Sequence, residues 1–483
     1  MIDYWKHYKP GFYYKFIKSL LISIVLFIIP LIAFAHPHVF VDCSITVVFD
    51  QQGLAGFHNH WVMDRMFSGN MLSSFAPGYD PDQLSLTPSD IKSIKKGAFD
   101  SLSKFNYFQH IRIQNKDFSN IVAQDFMAKA THKGLVYNFF IPCYLKASAD
   151  SSLIEMSVFD DSFYTSIQVS SFMISESDSL DITHTIGPLN YFKYYMGQIT
   201  PTGISLKFNN HLNSSQKTKI ENSIIMLTNE QEQGVSLWQR ISMRVNQWQD
   251  YIKDIMTDFG NEMKKNFWGK SLYLFIFFSF LYGIVHALGP GHGKSIVTSY
   301  FIARPGEYYL GILMAFVLSI THALSGAIFV LVMTFIFKSP VLFASAMPVE
   351  RVSYALLIVI GLVLFIHGII DALKKDKEPS NHDIKQLLIV AITTGMIPCP
   401  GAAIILIFSI SINFVTIGMM ALLAMGIGMG FTTSIFALVA IFSRNSISSM
   451  RRFSQRAYHF FHTALSICGA ITIILFGVVL FFS

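Results

Sequence analysis

The stretch His286-Ala287-Leu288-Gly289-Pro290-Gly291-His292-Gly293-Lys294 interrupts an apolar run that extends from about Ser271 to Ala303. About 20 apolar residues are enough to cross the hydrocarbon core of a bilayer, so this run is longer than one straight span needs. The Gly-Pro-Gly tripeptide is expected to open the helical hydrogen-bond ladder, because proline lacks an amide proton. Ionisable side chains inside a span usually face a cavity or a pathway rather than lipid. The stretch therefore predicts a polar site beside a broken membrane helix.

The composition places the chain among membrane proteins. It has 483 residues, of which 52% are hydrophobic, and a mean hydropathy of +0.45, which is too apolar for a soluble protein. The apolar residues are concentrated in Ile17–Ala35 and in residues 271–482, whereas residues 36–265 have the composition of a soluble protein. The net charge of +6 does not indicate nucleic-acid binding, because much of the excess lies in loops and in the amino-terminal lead.

Residues 1–35 have the layout of a secretory signal peptide. Lysines precede an apolar core of about 15 residues, and Ala33-Phe34-Ala35 provides a small-x-small exit. An uncleaved anchor is the alternative. In either case we expect the residues that follow to be exported, which means periplasmic in a Gram-negative bacterium.

Residues 36–208 are predicted to form an exported α+β domain. Strands are expected at 39–49 and 54–62, which form a hairpin, and at 135–141, 153–159 and 163–170, with helices near 62–75 and 91–108. Cys43 and Cys143 could pair as a disulfide in an exported domain. Residues 209–268 are predicted to be a linker. Its apolar residues from Ser236 to Met263 are three or four apart, which indicates a long amphipathic helix, packed on the soluble domain or lying on the membrane surface.

Four histidines and two acids lie near the start of this domain. They are His36, His38, Asp42, His58, His60 and Asp64. On a strand, residues two apart lie on one face, so each histidine pair could present both rings together. Imidazole pairs suit zinc, copper, nickel or cobalt. Two ordinary strands with histidines on the solvent-exposed face remain the alternative.

Several motifs of this domain resemble a family of exported proteins of unknown function that are often encoded beside metal transporters. They are His36-Pro37-His38-Val39-Phe40-Val41-Asp42, Trp61 with Asp64 and Phe67, Tyr107-Phe108, and Asp160-Asp161-Ser162-Phe163-Tyr164. The resemblance covers roughly residues 36–170. It implies a companion role rather than an established activity.

Residues 269–483 are predicted to form an α-helical polytopic membrane domain. Six spans are expected near 271–303, 309–337, 351–373, 387–411, 413–442 and 458–482. The loops at 304–308, 374–386 and 443–457 are rich in lysine and arginine, whereas the opposite connections hold only Lys338 and Arg351. This asymmetry places those three loops in the cytoplasm and independently predicts export of residues 36–265.

The second half of this domain opens with a break of its own, Gly395-Met396-Ile397-Pro398-Cys399-Pro400-Gly401. Three spans enter from outside and three from inside, so the halves have opposite orientation. Paired interruptions at corresponding places predict a 3+3 inverted-repeat transporter with its site at the bilayer midplane.

The six apolar cores contain no Asp or Glu, so hard ions such as Mg²⁺ and Ca²⁺ are disfavoured. Imidazole and thiol donors suit Ni²⁺, Co²⁺ or Zn²⁺. The candidate transport ligands are His286, His292, His322 and Cys399. The residues expected to form a gate or a helix break are Gly289, Pro290, Gly291, Lys294, Pro398 and Pro400. We expect Lys294 to snorkel to the cytoplasmic side, with repulsion of metal at a gate as the alternative.

Three motifs of the membrane part resemble the nickel/cobalt efflux (NicO-type) transporter family. They are the His286–Lys294 stretch, Thr321-His322-Ala323-Leu324-Ser325, and the Gly395–Gly401 break. The resemblance extends over about residues 271–483 and implies a six-span permease for Ni²⁺ or Co²⁺. It also implies functional roles for His286, His292 and His322.

Together these observations predict a bacterial inner-membrane permease for divalent metal ions, fused to a periplasmic metal-handling domain. We expect it to be a transporter in a lipid bilayer and not an enzyme, with no prosthetic group, no nucleic-acid partner, and Ni²⁺ or Co²⁺ as cargo. The alternatives are an importer of nickel, cobalt or zinc, a thiol relay through Cys399 and Cys468, and a sensor that does not transport.

Overall fold

The computed structural model describes most of the chain outside the amino-terminal segment. The described residues are 39–119, 121–148, 151–161, 164–175, 180–194, 199–210, 225–226, 237–289, 292–303, 307–335 and 384–448, with scattered positions at 355–370 and 467–478. They form two compact units that meet in the chain between Thr257 and Asp258. The first is an α+β unit and the second is helical.

The α+β unit contains two sheets. The first has the strand order β11-β8-β1-β2-β6-β5. Its strands are β1 (Val39–Phe49), β2 (Gly53–Met63), β5 (Gln124–Thr131), β6 (Gly134–Lys146), β8 (Thr165–Ile174) and β11 (Ile225–Met226). The β1–β8 pair is parallel, and the other pairs are antiparallel.

The second sheet is antiparallel throughout and has the order β4-β3-β7-β10-β9. Its strands are β3 (Gln109–Ile113), β4 (Lys116–Asp117), β7 (Ser152–Val158), β9 (Leu180–Pro188) and β10 (Thr202–Asn210). Two helices, α1 (Arg65–Phe75) and α2 (Pro88–Gly97), and a 3₁₀ segment (Phe99–Phe108) connect β2 to β3.

Alternating burial along β1 shows which face of the first sheet lines the core. Along β1 the odd-numbered residues from Val39 to Val47 are buried, and the even-numbered ones are exposed or half-buried. Side chains two apart point to the same face of a strand, so one face of β1 lines the core and the other does not. The β1–β2 hairpin predicted from this alternation is confirmed.

A long helix, α3 (Leu237–Met263), follows β11 and contains the boundary between the two units. Within the α+β unit, Lys253 Nζ lies 3.3 Å from Asp64 Oδ2, and both side chains are almost fully buried. The ammonium also lies 4.4 Å from the centre of the Phe40 ring. The predicted amphipathic helix is therefore present, and this ion pair attaches its first part to the α+β unit at Asp64, the residue directly after β2.

The helical unit contains α4 (Lys270–Leu288), α5 (His292–Ala303), α6 (Tyr308–Phe335), α7 (Ile384–Gly395), α8 (Pro400–Ser411) and α9 (Val415–Ser448). Among the described residues, α4, most of α6 and most of α9 are long and apolar enough to cross a membrane. The bent pair of α7 and α8 makes a fourth candidate. The predicted spans at 351–373 and 458–482 lie largely outside the described residues.

Helices α4 and α9 approach each other unusually closely. Gly283 of α4 lies directly against the backbone of Met425, and Gly428 of α9 lies against the backbone of Phe280. A Cβ at either glycine would overlap these backbone atoms, so only glycine allows this approach. Thr432 Oγ1 adds a hydrogen bond to the Ile284 carbonyl at 3.1 Å. Small residues at such contacts are a common basis of helix packing in membranes.

Two features of the α+β unit differ from the sequence-based expectations. Cys43 and Cys143 are both free thiols. Burial, the largest effect in each case, raises the pKa of Cys43 and raises the pKa of Cys143 to about 11. The strands β9 and β10 lie beyond 163–170, the last strand expected from the sequence, and they complete the second sheet.

Candidate functional site

The first break separates α4 from α5. Helix α4 ends at Leu288 and has Gly289 as its C-cap. The side chain of Lys294, which is 8% exposed, reaches back to this end. Its Nζ donates to the carbonyl oxygens of Leu288 at 3.0 Å and Ala287 at 3.4 Å, and to that of Gly289.

These contacts give Lys294 a definite role. The last carbonyls of a helix have no intrahelical donor, and the carboxyl end of the helix carries partial negative charge. The ammonium of Lys294, from the following helix, donates hydrogen bonds to these carbonyls and places positive charge at this end of α4. The ammonium of Lys294 is buried at the break itself, and the expectation that it snorkels to the cytoplasmic side stays a prediction.

The second break separates α7 from α8, whose axes are bent by 56°. Helix α7 ends at Gly395, and α8 begins at Pro400, where proline is tolerated because the first amide of a helix needs no partner. Cys399 is the N-cap of α8, and its Sγ accepts a hydrogen bond from the Ala402 amide at 3.4 Å. The predicted interruption by Pro398 and Pro400 is present.

Helix α6 supplies the donors that hold this second break. His322 Nδ1 lies 2.5 Å from the carbonyl oxygen of Ile397. Ser325 Oγ lies 3.0 Å from the carbonyl oxygens of both Gly395 and Ile397. A carbonyl only accepts, so Nδ1 of His322 carries the proton, and the lone pair of its neutral ring is on Nε2.

His286 reaches the same break from α4. It is 5% exposed, and its Nε2 lies 3.5 Å from Cys399 Sγ. The ring also packs over Gly401, where an added Cβ would lie 2.9 Å from Cε1 and 3.2 Å from Nδ1. The Tyr282 ring lies 5.6 Å away, centre to centre. The structure therefore brings His286 and Cys399 into direct contact and places His322 on the adjoining backbone.

The donor atoms of this cluster suit a borderline transition-metal ion. The cluster combines imidazole nitrogen with thiol sulfur, and both prefer ions such as Ni²⁺, Co²⁺ and Zn²⁺ to Mg²⁺ or Ca²⁺. In the part of the chain that the structure describes, no three His, Cys, Asp or Glu side chains are grouped to hold a metal ion. A closed four-ligand cage of the kind that fixes structural zinc is thus not formed by the described residues.

Some of the predicted residues lie outside the described part of the chain. These are Pro290, Gly291 and the side chain of His292 at the first break, and His36 and His38 before β1.

The remaining candidates of the α+β unit separate into two groups. His58 and His60 are exposed on the outer face of β2, and Asp42 is exposed on the same face of β1. Asp64 is buried and used elsewhere. Its Oδ1 accepts from the Phe67 amide at 2.9 Å as the N-cap of α1, and its Oδ2 pairs with Lys253. Asp64 therefore does not join the histidines.

Reasoning from the sequence missed the roles of Ser325 and Gly401, although both stand inside motifs that it singled out. The one hydroxyl proton of the serine lies within reach of three carbonyls, that of His322 at 2.9 Å and those of Gly395 and Ile397 at 3.0 Å, and the glycine makes room for the His286 ring. For Gly401 the signal was a small residue inside a Pro/Gly interruption, and for Ser325 it was a hydroxyl three residues after His322 on the same helix.

Two segments of the chain match known protein families. Residues 272–386 match a family described as high-affinity nickel-transport protein, and residues 21–180 match a protein family of unknown function (DUF1007). Both resemblances drawn from the motifs are thereby confirmed. The second break lies beyond the matched segments, so its role is argued from geometry.

Three relatives align with parts of the chain. A protein of Haemophilus influenzae named "Putative nickel/cobalt efflux system" is 24% identical over 246 residues, which is 42% of this chain and 76% of the relative. A protein of the same printed name from Methanocaldococcus jannaschii is 27% identical over 177 residues, 36% of this chain and 79% of the relative. An uncharacterized 15.5 kDa protein of Spirochaeta aurantia is 25% identical over 118 residues, 23% of this chain and 82% of the relative. No solved structure matches the chain.

Proposed function

We propose that this chain is an inner-membrane transporter of divalent transition-metal ions, most simply an exporter of Ni²⁺ or Co²⁺, with a metal-handling domain in the periplasm. The observation that carries the proposal is the contact of His286 with Cys399 at a break that His322 also touches. The family matched by residues 272–386 and the printed names of two relatives support nickel or cobalt as cargo.

The donor set supports the cargo class. Helices α4 to α9 contain no Asp or Glu, so the oxygen-rich coordination that Mg²⁺ and Ca²⁺ require is absent from these described segments. The described residues bring together one imidazole and one thiol, those of His286 and Cys399, which give few ligands and leave coordination positions open. A transported ion must be released as well as bound, which an open site permits and a closed cage opposes.

The proposed architecture is six spans in two inverted halves. It is supported by the two breaks, one after the first long apolar helix and one inside the bent α7–α8 pair. The proposed domain boundaries are those inferred from the sequence, with a signal peptide or anchor at 1–35, the exported domain at 36–208, the linker at 209–268 and the permease at 269–483. Interrupted segments in corresponding places are typical of transporters whose site lies at the midplane.

Growth and flux experiments test the transport site and its direction. Cells that express the wild-type chain should accumulate less radioactive nickel than cells without it, and His286→Ala should remove this difference. His132 is exposed in the turn between β5 and β6, so His132→Ala is the matched control and should behave as wild type. Nickel export that persists in His286→Ala would refute the proposed site.

The second candidate function is import, in which the periplasmic domain delivers the metal. The exposed histidines of that domain favour it. Deletion of the gene separates the two directions, because an exporter mutant becomes sensitive to nickel or cobalt, whereas an importer mutant becomes resistant. The thiol relay needs both cysteines, so full metal resistance in a Cys468→Ser variant, which leaves Cys399 in place, would exclude it.

A further inference from the structure

The outer face of the first sheet carries two histidines side by side. His58 and His60 are two residues apart on β2 and are both exposed. Their Cα atoms are therefore about 6.7 Å apart, and both side chains leave the same face. Their cross-strand neighbours on β1 are Thr46, opposite His58, and Ser44, opposite His60. Both have small side chains that leave room beside the rings.

One of the two rings is held in a defined orientation. His60 Nδ1 lies 2.7 Å from Oδ1 of Asn138, which is its cross-strand neighbour on β6. The amide oxygen only accepts, so Nδ1 carries the proton, and the lone pair of the neutral ring is on Nε2. Metal-ligating histidines have this arrangement as a rule, because the second hydrogen bond fixes the tautomer and the ring direction.

The donors that surround this pair define the class of ion. Asp42 lies on the same face but stands opposite Val62, which makes it a diagonal neighbour of His60, roughly 7–8 Å away between Cα atoms. No third His, Cys, Asp or Glu is grouped with the pair to hold a metal among the described residues. Two imidazoles without a carboxylate suit Ni²⁺, Cu²⁺, Co²⁺ or Zn²⁺, and water would occupy the other positions.

We propose that His58 and His60 form a two-histidine site for a divalent transition-metal ion on the outer face of β2, with Asn138 orienting His60. The site binds metal reversibly because it supplies only two protein ligands. Its role as a collecting point for cargo rests on the proposed transport function, whereas its ability to bind metal does not.

Equilibrium dialysis of the full-length chain in detergent against NiCl₂ tests the site. A His58→Ala/His60→Ala variant should bind less Ni²⁺ than wild type by about one equivalent per chain. The control His132→Ala, which removes an exposed histidine in a turn, should bind as wild type. Asn138→Leu should weaken the same equivalent by about tenfold, because it removes the orienting hydrogen bond while both ligands stay.

A His58→Gln/His60→Gln variant repeats the test with polar side chains of similar size and should show the same loss. A double variant that binds Ni²⁺ with the stoichiometry and affinity of wild type would overturn the proposal. Failure of the transport function gives a different result, since the wild-type chain would then move no nickel in vesicles while the double variant still lost its equivalent. His286→Ala should abolish transport and retain this equivalent.

Discussion

At each of the two helix breaks, side chains donate hydrogen bonds to backbone carbonyls, but the donor at the first break is charged and those at the second are neutral. At the first, Lys294 donates a cationic group to the carbonyls that end α4. At the second, His322 and Ser325 hold the carbonyls that end α7 with a ring N–H and a hydroxyl. In both cases the donor serves carbonyls at the end of a helix, which have no intrahelical partner, and unsatisfied backbone groups are costly in lipid.

This difference bears on where we propose that a metal ion binds. Two like unit charges 4 Å apart repel by about 4 kcal/mol at an effective dielectric constant of 20, and a divalent ion doubles the effect. The ammonium of Lys294 therefore disfavours metal at the carbonyls of the first break. The second break has no such cation among the described contacts and has the His286 and Cys399 donors beside it.

The largest effect is expected when the space that Gly401 leaves beside the His286 ring is filled. Gly401→Ala should displace the ring, because the new Cβ would lie 2.9 Å from its Cε1. Misplacement of a reacting or binding group by about 1 Å can cost on the order of a hundredfold in rate, so we expect nickel flux in vesicles to fall by that order. Gly187→Ala, at a site with nothing within 4 Å, is the control, and unchanged flux in Gly401→Ala would contradict the site.

The next effect concerns the stability of the first break. Lys294→Met keeps the length of the side chain but leaves the carbonyls of residues 287–289 without this donor. Leaving buried polar groups unsatisfied costs about 1–3 kcal/mol, so the melting temperature in detergent should fall. Lys264→Met, at an exposed lysine, should leave it unchanged. Equal melting of both variants would show that the lysine does not hold the break.

A smaller effect is expected at the second break. Ser325→Ala removes one hydroxyl that contacts the carbonyls of Gly395 and Ile397, while the His322 contact stays. A neutral hydrogen bond contributes about 0.5–1.5 kcal/mol, so thermal stability should fall less than in Lys294→Met. The prediction fails if Ser325→Ala melts at or below the temperature of Lys294→Met.

The smallest effect lies away from both breaks, in α3. Burial, partly offset by Lys253, raises the pKa of Asp250 from 3.8 to about 6. A carboxyl whose folded pKa is raised favours the folded state most when both states are protonated, below about pH 4, and this contribution is lost as the pH rises to about 6. Asp250→Asn should therefore melt above wild type at pH 7, and the difference should shrink near pH 4. Calorimetry at the two pH values measures this.

The elements that the sequence predicted are those with strong local signals. Alternation identified β1 and β2, and spacing of three or four identified α3, because these periods are properties of the segment itself. The strand β10 also alternates, with Ile204, Leu206 and Phe208 buried. Only its pairing with β7 and β9 shows that it completes a sheet.

The site was predictable in its residue types but not in its contacts. Proline and glycine located both breaks, and the scarcity of carboxylates indicated the class of ion. That His322 and Ser325 contact carbonyls 75 and 70 residues away depends on how α6 packs against α7, which periodicity does not specify. The reach of Lys294 back to the end of α4 was not predicted, because it requires the geometry of the break.

The glycine contacts between α4 and α9 bear on how such a protein could move. With backbone against backbone at Gly283 and Gly428, α4 and α9 have no room for added side-chain atoms at this contact. His286 lies one turn beyond Gly283, on the helix that this contact holds. If the chain is the proposed transporter, we expect the bent joint between α7 and α8 to be where the distance between Cys399 and His286 changes.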